Sequence, residues 1–310
     1  MTGLDALEAR LRQDLQWLEL PAKAWVPPTE VDGRMARDVV VIGAGMCGLT
    51  ATAALQRQGI GNIVAYDRAP QGREGPWVTF ARMRTLRSPK TLTGPALGLP
   101  ALTFRAWYEA QFGAEGWAAL GKIPRGQWMD YLVWYRRVLG LPVQNRHQVT
   151  AIRPFGALLE LDVAGPAGTE RVLTRHLVLA SGRDGLGGPF VPAIAGRIAP
   201  HLWAHSADDI DFAALAGRRV GVVGAGASAM DNAATALEAG AARLDMFIRR
   251  PDIPRINKFT GIGSQGVVHG FAGLPDDWKW RFLHYVNAAQ TPPPHDSTLR
   301  VSMHANAHIH

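Results

Sequence analysis

Two stretches of this sequence repeat one pattern: a short apolar run, a cluster of glycines, a helical segment and a second apolar run. The first stretch is Val39-Val40-Val41-Ile42, then Gly43-Ala44-Gly45-Met46-Cys47-Gly48, a helical stretch through Gln58 closed by Gly59, and Ile63 to Tyr66 ending on Asp67. The second is Val220-Gly221-Val222-Val223, then Gly224-Ala225-Gly226-Ala227-Ser228-Ala229, a helix to Glu238 with Gly240 behind it, and Leu244 to Ile248 ending on Arg249-Arg250. A short continuous apolar run is what a strand buried on both faces requires. Strand, tight turn, helix and strand in that order make the start of a parallel βαβ unit. The first glycines of the two units are 181 positions apart (224 − 43), so the pattern is a duplicated module and not a short repeat array.

The glycine spacing has a chemical reason. The first glycine permits the turn from strand to helix, the second lets the backbone approach a diphosphate, and the third lets helix and strand pack closely. The diphosphate then meets free N–H groups at the positive end of the helix. Asp67 falls 19 positions after Gly48 at a strand end, where a carboxylate accepts hydrogen bonds from ribose hydroxyls. The second unit ends instead on Arg249 and Arg250, which pair with a ribose 2′-phosphate that a carboxylate would repel. The first site, Gly43, Gly45, Gly48 and Asp67 with Arg68 beside it, is expected to take FAD. The second, Gly224, Gly226, Ala229, Arg249 and Arg250, is expected to take NADPH. The bland alternatives are a structural glycine turn and two solvated arginines.

The rest of the chain is consistent with an α/β protein holding two Rossmann-like dinucleotide-binding domains and a small antiparallel β-meander. Alternating segments near 148–153, 157–163 and 170–180 read as the meander, the last running into a buried strand, Leu177 to Gly182. Leu4, Leu7, Leu11, Leu15 and Leu18 make one face of a helix, and helical patches fall near 103–112 and 126–139. The expected division is an N-terminal helix and linker over 1–36, an FAD-binding domain over 37–212 and an NADPH-binding domain over 213–310. Net charge is +7, but the basic residues are scattered, so an anionic cofactor explains the excess better than nucleic acid. Cys47 is the single cysteine, which excludes an internal disulfide and a Cys-x-x-Cys pair; it is expected to pack against the sheet. No apolar run approaches the ~18 residues of a membrane span, so a cytoplasmic protein is expected, with no membrane partner. Leu299 to His310 reads as strand-like, and His304, His308 and His310 are too irregularly spaced to suggest a metal set.

Two such units, with Ala180-Ser181-Gly182 between them, resemble the two-dinucleotide-binding flavoproteins, and within these the class B flavoprotein monooxygenases. The resemblance covers roughly residues 37–255. It implies FAD on the first glycine motif, with Gly75-Pro76-Trp77 near the flavin and Ala180 and Gly182 closing the site, and NADPH on the second. It also implies a small-molecule substrate and O2, with one oxygen atom transferred through a peroxyflavin. His205-Ser206-Ala207-Asp208 is similar to a segment of the N- and S-oxygenating branch. Ser88 stands where many members of that branch carry asparagine, and Arg82, Arg84 and Lys90 are candidates for stabilising negative charge beside the flavin. Members of the family complete the FAD domain after the NADPH domain. Residues 251–310 do not read that way, so the chain is expected to be truncated relative to the family and to oxidise NADPH slowly with release of peroxide. The competing expectation is a flavin- and NADPH-binding module without coupled oxygenase activity. A pyridine-nucleotide disulfide reductase would need a partner for Cys47.

Overall fold

The computed structural model of the chain describes residues 3–182, 185, 187–257, 264–289 and 291–310. It divides into two compact units, Met1–Ala193 and Ile194–His310.

In the first unit, strands β2 (Arg34–Ile42), β3 (Ile63–Asp67), β4 (Val143–Asn145) and the end of β7 (Gly168–Leu179) form a parallel ladder in the order β4-β3-β2-β7. The sheet continues antiparallel from β7 into β6 (Leu158–Gly165) and β5 (Gln148–Phe155). Strand β7 serves both parts: Gly168–Thr174 pair with β6, and Thr174–Leu179 run alongside β2. A short strand, β1 (Thr29–Val31), folds back on β2 through Asp32 and Gly33, both at positive φ.

The apolar run of β2 is buried on both sides, as its composition requires. Val39 and Val41 face a core built from helices α1 (Gly3–Trp17), α2 (Met46–Arg57), α3 (Phe104–Ala119) and α4 (Arg125–Val138). Val40 faces the other way, onto Val64, Tyr66, Leu161 and Val163. The helix-side core is dominated by aromatic rings, with Tyr131 packed on Phe104, Trp107, Trp128, Trp134 and Tyr135. Fully burying one large apolar side chain contributes about 1.5–3 kcal/mol. Tyr131 satisfies its hydroxyl by donating to Leu102 O at 2.6 Å, and burial drives its pKa far above the ordinary value. The leucine face of α1 docks here, with Leu11 fully buried and Glu8 accepting from Trp134 and Arg137 of α4.

The second unit is a three-stranded parallel sheet, order β10-β9-β8, from β8 (Arg219–Val223), β9 (Arg243–Phe247) and β10 (Ala307–Ile309). Helices α5 (Ala227–Glu238) and α8 (His295–Ser302) pack on one face through Met230, Ala234, Leu244, Met246 and Val301. The two helices are tied by Ser297, whose hydroxyl lies 2.5 Å from buried Asp231, and by a bidentate Arg300–Glu238 pair. Gly221, Val223 and Phe247 lie on the sheet's exposed strand positions. Between β9 and α8 lie α6 (Gln265–Gly270) and α7 (Asp276–Ala289).

Helix α1 packs its leucine face into the core, and β2 begins at Arg34. The turns of 194–212 go with the second compact unit. Two expectations are corrected. Leu299 to His310 is not one strand: residues through Ser302 complete α8, whose Ser297 and Val301 are buried against α5, and only Ala307–Ile309 pair with β9. The end of β7 is less buried than its apolar letters suggest, with Leu179 66% exposed.

Candidate functional site

The first glycine loop closes on three strands at once. Gly43 N–H donates to Tyr66 O of β3 at 2.8 Å, and Ala180 N–H donates to Ile42 O at 2.9 Å, so strands β3, β2 and β7 converge there. Gly43 has φ +99°, and a Cβ on it would fall 2.4 Å from Ala180 O. Only glycine fits this turn. A Cβ on Gly48, in the first turn of α2, would fall 1.8 Å from Gly43 O, so the third position fixes how closely helix and strand approach. Gly45 differs: its φ is ordinary at −68°, and a Cβ there would meet only Gly75 Cα, at 3.9 Å. The space beside Gly45 is open, and Gly45 caps α2 with no side-chain hydrogen bond, which leaves the first-turn N–H groups for an anion.

Asp67 supplies the acid wall of this cradle. Its carboxylate is nearly buried and accepts from Ala44 N–H and Ala69 N–H, each at 2.8 Å. A carboxylate has about four acceptor sites, so two backbone bonds leave capacity for ribose hydroxyls. Gly75-Pro76-Trp77 runs beside the loop, with Gly75 Cα 3.9 Å from where a Cβ on Gly45 would lie, and Trp77 packs edge-on to Trp128 at 6.2 Å. Arg125 holds this segment by donating to Trp77 O. Open space at Gly45, an uncapped helix and a ribose-side carboxylate fit a dinucleotide with free ribose hydroxyls.

The second loop repeats the construction with one relaxation. Gly224 N–H donates to Phe247 O at 2.9 Å, as Gly43 does to Tyr66 O. Around Gly226 a Cβ would meet nothing within 4 Å, and α5 also starts without a side-chain cap. At the third position Ala229 carries a methyl group, 3.7 Å from where a Cβ on Gly224 would lie, which is ordinary contact. Strand β9, paired beside β8, ends at Phe247; Ile248 takes the position equivalent to Asp67, and the exposed Arg249 and Arg250 follow it in a bend. These residues fit a nucleotide bearing a 2′-phosphate.

Not every sequence-predicted residue joins a cradle. Gly182 follows Ala180 at positive φ, and Arg68 is exposed just beyond Asp67. Ser88 and Arg84 are exposed on the loop that follows Trp77, and Arg82 donates to Thr79 O at 2.5 Å. Lys90 is engaged elsewhere. Its ammonium donates to Trp117 O at 2.5 Å and to Leu120 O, and sits 4.7 Å from the Trp117 ring centroid, capping the end of α3. Cys47 is exposed and not packed, because the buried face of α2 is Gly48, Leu49, Thr52 and Ala53. Sequence reasoning missed Glu74, a buried carboxylate next to Gly75 that accepts from Gly72, Arg136 and Asn145. No spacing marks it, since Arg136 and Asn145 lie more than 60 positions away along the chain.

The family described as pyridine nucleotide-disulphide oxidoreductase matches residues 40–259, which contain both glycine cradles. The chain belongs to this family. Among curated relatives, an FAD-dependent urate hydroxylase from Xanthomonas campestris pv. campestris is 45% identical over 313 residues, covering 99% of this chain and 65% of that protein. The chain therefore spans just under two thirds of that relative's length. Among solved structures, ornithine hydroxylase from Pseudomonas aeruginosa superposes with TM-score 0.71 at 16% identity, over 88% of this chain and 72% of the other. An FAD-bound cadaverine monooxygenase from Erwinia amylovora gives TM-score 0.70 at 15% identity, over 89% and 69%. At such identities these two likenesses show a shared fold. Membership in the pyridine nucleotide-disulphide oxidoreductase family does not bring a dithiol with it here, since Cys47 has no second cysteine in the 310 residues.

Proposed function

We propose that this chain binds FAD at Gly43–Gly48 and NADPH at Gly224–Ala229 and carries out flavin-dependent monooxygenation. Its substrate is urate or a similarly oxidised nitrogen heterocycle. The observation that carries the reading is the pair of cradles, alike in backbone but opposite in charge at the ribose end: Asp67 in one, Arg249 and Arg250 in the other. Identity to a urate hydroxylase at 45% over 99% of the chain supports the substrate class.

The Gly43–Gly48 loop and Asp67 would hold FAD, which would supply hydride acceptance from reduced nicotinamide and electron transfer to dioxygen. The chain's part is to bind and orient. The α2 amides and open flank of Gly45 receive the diphosphate, and Asp67 takes the ribose hydroxyls. Gly75 and Trp77 close the loop, with Trp128 behind Trp77 restricting water. The exposed pair Arg249 and Arg250 selects the 2′-phosphate. Ser88 and Arg84 are the proposed polar groups on the substrate side. Lys90 is the third of that set, and because its ammonium is held by α3 its contribution is indirect.

The test is direct. The purified chain is loaded with FAD, freed of excess cofactor and measured for a flavin spectrum, and NADPH consumption is then followed with and without urate. Retained flavin together with urate-dependent consumption and a hydroxylated purine product supports the reading. Retained flavin with peroxide as the sole product supports a module without coupled oxygenation, and no retained flavin overturns the assignment of the first cradle.

A further inference from the structure

The two walls of the first cradle are joined by the segment from Asp67 to Gly75. Asp67 is bonded to the glycine loop through Ala44 N–H, and Gly75 lies beside it, its Cα 3.9 Å from where a Cβ on Gly45 would be. The connecting turn has Gly72 at φ +81° and Gly75 at φ +73°, a backbone with many alternative conformations and little intrinsic preference for this one. Backbone bonds from Arg146 N–H to Ala69 O and from Arg73 N–H to Pro70 O hold its first half, and a buried carboxylate holds the half that leads to Gly75. Glu74 Oε2 accepts from Gly72 N–H at 2.8 Å, while Oε1 accepts from Arg136 at 3.1 Å and from Asn145 Nδ2 at 2.6 Å. Arg136, in α4, also donates to Asn145 Oδ1 at 2.6 Å and Val143 O at 2.9 Å, and Asn145 donates to Ala69 O at 3.0 Å.

Each charged or polar group in this set is satisfied, which a buried ion pair needs in order to persist. Asn145 pairs in register with Asp67 across β3 and β4, so the network is anchored at the acid wall as well as at Gly75. A cavity of about 10 Å³, the size of one water, lies between Glu74, Arg136, Ala44 of the glycine loop and Leu49 of α2, so the network sits directly behind the loop.

We infer that Glu74, with Arg136 and Asn145, is a clamp that sets the spacing between the ribose wall and the diphosphate wall before the cofactor arrives. Glu74 is a positioning residue: it acts on FAD through Gly75 and Asp67. The inference rests on the FAD assignment of the first cradle. Removing the charge while keeping the shape, Glu74→Gln, presents an amide N–H₂ to a donor and frees the turn. The entropy of re-ordering it then falls on the binding step, weakening FAD.

The experiment has two readouts on Glu74→Gln and on the paired variant Glu74→Gln/Arg136→Met, both confirmed folded by circular dichroism. Backbone hydrogen exchange of the FAD-free chain reports the clamp itself: amides of residues 69–75 are expected to exchange at least tenfold faster, with α5 unchanged. Titration reports its consequence: FAD is expected to bind at least tenfold more weakly while NADPH binds within twofold of wild type. Unchanged exchange at 69–75 overturns the clamp. Faster exchange with FAD affinity within twofold of wild type overturns its positioning role. Faster exchange in a chain whose wild type takes no FAD leaves the clamp standing and overturns the cofactor assignment, and with it the role proposed for Glu74 toward FAD.

Discussion

Substituting alanine at two glycines of one loop separates folding from cofactor binding. Gly48→Ala places a methyl group 1.8 Å from Gly43 O, and ordinary contact begins at 3.4 Å, so α2 and the turn must part by about 1.6 Å (3.4 − 1.8). The obstacle is backbone, which cannot swing aside. Overpacking of this kind costs up to about 3 kcal/mol. The helix gains back at most about 1 kcal/mol from replacing glycine. The net loss of about 2 kcal/mol lowers the melting temperature by about 4–8 °C in a unit of this size. Gly45→Ala meets only Gly75 Cα at 3.9 Å, so its melting temperature is expected within about 1 °C of wild type. Its methyl group instead occupies the diphosphate's approach, and FAD affinity is expected to fall at least tenfold, with Gly45→Val retaining none. Near-ultraviolet circular dichroism is the assay for stability, since seven of the ten tryptophans precede residue 194. A Gly48→Ala chain melting within 2 °C of wild type, or a Gly45→Ala chain melting as low as Gly48→Ala, would refute this division of labour.

Three further outcomes follow from the geometry. Replacing Arg249 and Arg250 with alanine removes a charge-assisted contact of about 1.5–3 kcal/mol, so NADPH binding should weaken tenfold or more while NADH changes less than twofold; equal affinity of the wild type for both nucleotides would contradict it. Hydrogen bonds from Arg137 and Trp134 hold the Glu8 carboxyl below its usual range. With a depressed folded-state pKa, that contact stabilises α1 above the unfolded value and is lost as pH falls through the folded one, so Trp134 emission should change on acidification below about pH 4. Glu8→Gln should abolish the step, and an equal step in both proteins counts against the assignment. Lys90→Met removes the cap on α3 and should cost about 1 kcal/mol, or about 2–4 °C, with FAD affinity unchanged; a selective loss of FAD affinity would move Lys90 to the cofactor's side.

Much of the fold is legible in the sequence because its signals are local. Val39 to Ile42 reads as a strand buried on two faces since every position is apolar, and Gly43, Gly45 and Gly48 read as a turn because three separate steric demands fall at fixed spacing. The antiparallel meander is visible as alternation. The β1–β2 hairpin, absent from the expected elements, also carries a local signal: Asp32-Gly33 between Val31 and Arg34 is a two-residue turn. Other features depend on distant partners. Leu299 to Ser302 is helical because α5 offers it a surface, and its letters alone suit a strand equally well. Cys47 is exposed since the helix turns a different face to the sheet, and a single thiol gives no periodicity to read. Glu74 is a loop carboxylate by sequence and a buried one only after α4 and β4 have folded against it.

Strand β7 imposes a rule on how this chain can vary. At about 3.3 Å per residue its twelve residues form a stiff beam of about 40 Å. One end is the Gly165–Gly168 turn and the other sets Ala180 against Gly43. A single insertion anywhere along it would exchange the two faces of everything downstream and withdraw Ala180 from the turn it abuts. Length changes between relatives should therefore accumulate at the 165–168 turn, where an added residue alters only the tip, and be absent from the beam. Grafting a reporter peptide at that turn should leave nucleotide binding intact, whereas one extra residue between Thr174 and Leu179 should abolish it.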